Sequence, residues 1–159
     1  MIFSRREKDI KFLLHIVITN EDSRMSGADY APSGYRPDAK DLEAILGPLE
    51  AEVLNVVYEM GKPIRVREVY EKMREGRKIA YTTVMSTMNT LHEKGILDRK
   101  VTEGKGGLLY VYWPKMSKAE IQRSAVKHIM DSLVKNFGEA LTSYLVEFNR
   151  SNKDKKEEK

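Results

Sequence analysis

Apolar residues along the middle of the chain recur first at helical spacing, then in strict alternation, then at helical spacing again. Leu49, Val53, Val56, Val57 and Met60 share one helical face, with Pro48 at the start, Glu50 and Glu52 in the first turn and Gly61 just past the end. Val66, Val69, Tyr70 and Met73 repeat the pattern in a shorter second helix, closed by a turn over residues 75–78. A third helix is predicted over residues 81–94, where Val84, Met88 and Leu91 form the apolar stripe and Gly95 supplies the C-terminal stop. The period then changes to two. Residues 96–102 and 108–113 alternate as half-buried strands around the turn EGKGG, which predicts an antiparallel hairpin with Lys105 at its tip. Three helices followed by such a hairpin make a winged helix.

The helical period resumes after the hairpin. Ser117 and Glu120 have the spacing of a capping box, and Ile121, Ala125, Ile129 and Leu133 climb one face with Val126, Met130 and Val134 beside them. Leu141, Tyr144, Leu145 and Phe148 continue the stripe beyond Gly138. A winged helix does not need these extra turns, so the stripe from Ile121 to Phe148 is expected to meet a symmetric partner, the commonest soluble assembly. Folding back on its own domain is the alternative. The expected fold is therefore mainly α with a small β-hairpin, divided into an N-terminal arm (1–40), a winged helix-turn-helix domain (41–116), C-terminal dimerisation helices (117–149) and a charged disordered tail (150–159).

The third helix carries the candidate chemistry. Thr82, Thr83, Ser86, Asn89 and Thr90 point away from its apolar stripe, and short hydroxyl and amide side chains in the first turns of a helix can reach base edges or phosphates in a major groove. A solvated, well-capped helix face would have the same composition. The surrounding charge favours the nucleic-acid reading: Arg77 and Lys78 lead into this helix, Arg99 and Lys105 sit on the hairpin, and within residues 41–116 the acidic residues gather on the first two helices, with Glu93 alone on the third. Those four cations are expected to hold phosphates. The net charge of +4, from 28 basic and 24 acidic residues, is too mild to make that case alone.

Four segments, LGPLEAEVLNVVYEMG (46–61), VREVYEKMREGRKIAYTTV (66–84), LHEKGIL (91–97) and YVYWP (110–114), resemble the BlaI/MecI/CopY family of winged-helix repressors, the penicillinase-repressor type. They cover most of residues 45–115. The resemblance implies a homodimer that sits on palindromic double-stranded DNA operators and represses nearby genes. It also marks SLVKNF (132–137) as similar to the segment at which antibiotic-responsive members are cut, which would put the bond between Asn136 and Phe137 and add a regulatory protease as partner. One departure touches base preference, because many members carry an arginine near the position of Thr90.

Several functions are excluded or disfavoured. The chain has no cysteine, which removes disulfides, cysteine-based zinc sites and thiol catalysis, and also the C-terminal cysteine cluster of copper-responsive members of the family. His15, His92 and His128 have no partner at ligand spacing, so no metal or other cofactor is expected. No Ser/His/Asp grouping or phosphate-cradling loop is visible, since EGKGG precedes a strand and not a helix, and no enzymatic activity is expected. The apolar run over residues 10–18 is too short to span a bilayer and makes a poor signal peptide; a packed strand or short helix, no membrane partner and a cytoplasmic location are expected. Residues 19–40, rich in Ser, Gly, Pro, Asp and Tyr, read as a loose linker within which Met25 could be an alternative start. A winged helix that docks on protein in a transcription or chromatin assembly is the rival function, and it calls for an apolar or acidic third-helix face.

Overall fold

The computed structural model describes residues 29–157, with side chains through residue 151. A 3-10 turn at Asp41–Ala44 precedes helix α1 (Pro48–Met60), a short strand β1 (Ile64–Arg65), α2 (Val66–Arg74), α3 (Tyr81–Glu93), strands β2 (Leu97–Gly104) and β3 (Gly107–Pro114), and a long α4 (Lys118–Glu157). The apolar run over residues 10–18 and the alternative start at Met25 lie outside the described residues. The described residues divide into two compact units, one ending at Ala125 and the other beginning at Val126.

Helix boundaries follow local chemistry. Glu50 accepts the Gly47 N–H at 2.8 Å, Glu68 accepts the Arg65 N–H at 2.9 Å, and Ser117 and Glu120 exchange bonds of 2.7 and 3.2 Å, so the starts of α1, α2 and α4 each have a carboxylate collecting an otherwise orphaned donor. That backbone bond, helped by Lys62, holds the Glu68 carboxyl below its ordinary pKa. At the other ends, Gly61 (φ 61°) and Gly95 (φ 73°) take the left-handed conformation that stops α1 and α3. The hairpin is tighter than its sequence suggested: Gly104 pairs with Gly107, leaving Lys105 and Gly106 as the two-residue turn. Strand β1 pairs Ile64 with Tyr112 and Arg65 with Val111, making a three-stranded antiparallel sheet in the order β1-β3-β2.

The core of the first unit lies between α1, α2, α3 and the base of the sheet. Val53, Leu54, Val57, Ile64, Val69, Val84, Met88, Leu91 and Ile96 are fully buried there. Two expectations about its limits are overturned. Tyr30, expected in a loose linker, is 2% exposed: its hydroxyl donates to the Ile45 carbonyl at 2.7 Å and its N–H donates to the Ser124 hydroxyl at 2.8 Å. Burial and the Glu50 carboxylate push this phenol's pKa up to about 12. At the other end, Met116, Ile121 and Ala125 belong to the same core, at 1%, 0% and 0% exposure. The unit therefore runs past residue 116, and Ile121 and Ala125, expected to face a partner chain, are used up inside their own domain.

In the second unit α4 breaks at Phe137, whose φ of −138° and ψ of 33° are not helical, immediately before Gly138. The helix reaches Glu157 instead of ending at residue 149, because the charged tail contains no glycine or proline and its Lys and Glu residues are good helix formers. Among the described residues, no helix is long and apolar enough to cross a membrane.

Candidate nucleic-acid interface

Helix α3 sits on the core through Val84, Met88 and Leu91, with Thr87 also buried and its hydroxyl returned to the Thr83 carbonyl at 2.8 Å. Its opposite face is the candidate surface. Thr82 and Ser86 are exposed, Thr83, Asn89 and Thr90 half-buried. Ser86 and Thr90 donate to the carbonyls of Thr83 and Ser86 at 2.9 and 3.0 Å, which directs their free lone pairs outward as acceptors. Sequence reading missed Met85, 40% exposed and next to Thr82 on the helical wheel, on the side away from Ser86; that neighbouring position was the available signal. The start of the helix is fixed by Tyr81 packing edge-on to Tyr70 of α2 at 5.6 Å, with the Arg74 guanidinium 5.8 Å from the Tyr70 ring.

The cations divide into held and open. Lys78, just before α3, and Lys105, at the hairpin tip, are exposed. Arg77 instead pairs with Glu52 of α1 at 2.7 Å; both side chains are at least 40% exposed, so the pair is worth little and a phosphate can compete for the guanidinium. Arg99 is held twice, by a bond from Nη1 to Asn89 Oδ1 at 2.8 Å and by lying 4.9 Å from the centre of the Tyr110 ring. Asn89 Oδ1 also accepts the Tyr112 hydroxyl at 2.7 Å. That double occupancy changes the reading of Asn89, because an amide oxygen has two lone pairs and both are taken. In this arrangement Asn89 cannot make the two-point contact to adenine, which needs the oxygen as acceptor.

Arg99, Val101 and Glu103 alternate on one face of the hairpin and lie opposite Tyr112, Tyr110 and Leu108 of β3. Toward the tip that face is apolar, with Val101, Tyr110 and Leu108 at 45%, 36% and 61% exposure. Alternation in the sequence was expected to bury these positions, but the core ends at Tyr112 and the hairpin extends beyond it.

The residues once grouped for dimerisation separate as well. Ile129, Leu133, Leu141 and Leu145 are half-buried, while Tyr144 and Phe148 are 59% and 51% exposed and stack on each other at 6.0 Å. Phe137 is 62% exposed at the break in α4, and the neighbouring Asn136 amide closes its own helical turn on the Ser132 carbonyl at 2.8 Å. His92 is a packing residue whose Nδ1 lies 3.1 Å from the Leu97 carbonyl oxygen.

Compared with known families, the chain matches the penicillinase repressor family over residues 46–158, which takes in every described helix and strand from α1 onward. No curated protein matches it.

Proposed function

The chain belongs to the penicillinase repressor family, a family of transcriptional repressors, and on that premise we propose that it is a sequence-specific DNA-binding repressor acting as a homodimer on a palindromic operator. The observation that carries the reading is the outward face of α3: Thr82, Met85 and Ser86 stand exposed on a helix with no acidic residue before Glu93, between Lys78 at its start and Lys105 on the hairpin. Uncharged donors, acceptors and one thioether suit base edges and thymine methyls, and the flanking cations suit phosphates. A protein-docking winged helix would want an apolar or acidic face at this place.

In this reading α3 lies in the major groove, Thr82, Thr83, Ser86 and Thr90 discriminate bases or fix register, and Lys78, Lys105, Arg99 and a released Arg77 hold the backbone. The half-buried and exposed apolar residues of α4 beyond Ala125, namely Ile129, Leu133, Leu141, Tyr144, Leu145 and Phe148, supply the dimer contact, and the protein works in the cytoplasm without a cofactor. The break at Phe137 supports a second element, regulated cleavage between Asn136 and Phe137, because a protease has to unwind its substrate locally and the helix is already interrupted at this exposed residue.

Titration of wild type, Thr82→Ala and Ser86→Ala on specific and random duplexes tests the reading. Each substitution is expected to weaken specific binding by about 1–3 kcal/mol and random binding much less. Equal losses on both duplexes would remove these residues from base reading.

A further inference from the structure

Asn89 of α3 bonds through its side chain to both strands of the hairpin: to Arg99 on β2 and to Tyr112 on β3, which face each other across the ladder. The chemistry fixes which amide atom is involved, because an arginine has donors only, so the atom 2.8 Å from Arg99 Nη1 is the oxygen and the Tyr112 hydroxyl must donate to it as well. Tyr112 is 1% exposed and anchors the base of the wing in the core, whereas the Arg99 guanidinium lies against the half-exposed Tyr110 ring. One oxygen thus ties three things together: a fixed point in the core, the outward face of the reading helix and a cation on the wing.

Building on the DNA-binding reading above, we propose that Asn89 is a positioning residue and not a base reader: its oxygen, with the Tyr110 ring, aims the Arg99 guanidinium at a DNA backbone phosphate where α3 meets the wing. Arginine suits this task. Its planar fork has five donors, so one can be spent on Asn89 while others remain for a phosphate, and a cation already held in place loses less freedom on binding than an unrestrained one. Lysine could not lie flat on Tyr110 and present a fork at the same time. The consequence is that Asn89 contributes to affinity through Arg99, equally on every sequence.

The test uses the full chain as wild type, Asn89→Ala, Arg99→Ala, Arg99→Lys and the Asn89→Ala/Arg99→Ala double variant. Each is titrated at several salt concentrations on the preferred duplex and on duplexes carrying single base-pair changes beneath α3. Asn89→Ala is expected to lose about tenfold in affinity on all of them without reordering base preference. The slope of log affinity against log salt should move toward that of Arg99→Ala, which falls short of wild type by about one phosphate. The double variant should match Arg99→Ala alone, since a positioning residue has nothing to position once the guanidinium is gone. Arg99→Lys, which keeps the charge on an exposed strand and does not disturb Tyr112, should resemble Asn89→Ala; it carries the test if Asn89→Ala fails to fold. A base preference that changes at one position in Asn89→Ala, an undiminished loss in the double variant, or wild-type affinity for Arg99→Lys would each overturn the positioning role while leaving DNA binding intact. Wild-type protein without salt-dependent duplex binding would overturn both the positioning role and the reading on which it rests.

Discussion

Replacing Ile121 by alanine should unfold the winged-helix unit more easily and should do so without any partner chain. Ile121 lies one turn into α4 and is 0% exposed, in the same cluster as Met116, Ala125, Tyr30 and Leu42. Truncating a fully buried aliphatic side chain to alanine removes its transfer free energy and leaves a cavity, together worth about 2–5 kcal/mol. A domain of this size is stable by about 5–15 kcal/mol, so a large share of the total would be lost. Urea unfolding followed by the fluorescence of Trp113, the single tryptophan, half-buried in β3, reports on the right unit. The midpoint should fall by about 2 M with an unchanged slope. Leu108→Ala, which deletes methyls from a side chain 61% exposed at the wing tip, should change stability by no more than about 0.5 kcal/mol. For the same reason a chain ending after Lys115 should not fold: it lacks Met116, Ile121 and Ala125 and the Ser124 hydroxyl that holds Tyr30. An Ile121→Ala protein with an unchanged midpoint and a weakened self-association would refute the reasoning and return this residue to a partner-facing surface.

Lys105→Ala should weaken binding alike on specific and random duplexes and reduce the salt slope by about one, measured by fluorescence anisotropy; a change in base preference instead would misplace the wing. Leu141→Asp with Leu145→Asp puts two charges on the half-buried stripe of α4 and should shift sedimentation toward the monomer, with full operator binding dropping to that of a half-site. Tyr30, and Tyr58 on α1, whose hydroxyl donates to the Met116 carbonyl at 2.7 Å, have phenols pushed up to about 12, by burial first and by Glu50 and Glu120 respectively second. The unfolded chain loses these protons near the ordinary value of 10, so the stability they contribute is complete below that pH and is lost as pH rises toward 12. Thermal melts at pH 9, 10 and 11 should show that decline, and Tyr30→Phe should make it shallower.

The helical period and the glycine stops were enough to locate α1, α2, α3 and the hairpin, because those elements bury one face each, and α1 and α3 end where a left-handed glycine is needed. Less was legible where burial depends on distant partners. Ile121 and Ala125 have the same spacing as Ile129 and Leu133, so the wheel could not say that the first pair packs inward. Tyr30 sits in a stretch with loop composition, and only its long-range bonds to Ile45 and Ser124 reveal its role. The two residues of β1 are too few to alternate. On the candidate interface, Thr82 and Ser86 are exposed as their wheel positions implied, but the wheel says nothing of the bonds from Arg99 and Tyr112 that occupy Asn89.

Selection of bound duplexes from a randomised pool by the purified full chain, followed by footprinting, tests the central claim most directly. The expected result is enrichment of an inverted repeat whose half-site centres lie one helical turn, about 34 Å, or a multiple of it apart, with protection in the major groove of each half. A pool that stays random after several rounds, bound only in proportion to its charge and lost in moderate salt, would contradict a sequence-reading α3 and with it the repressor mechanism.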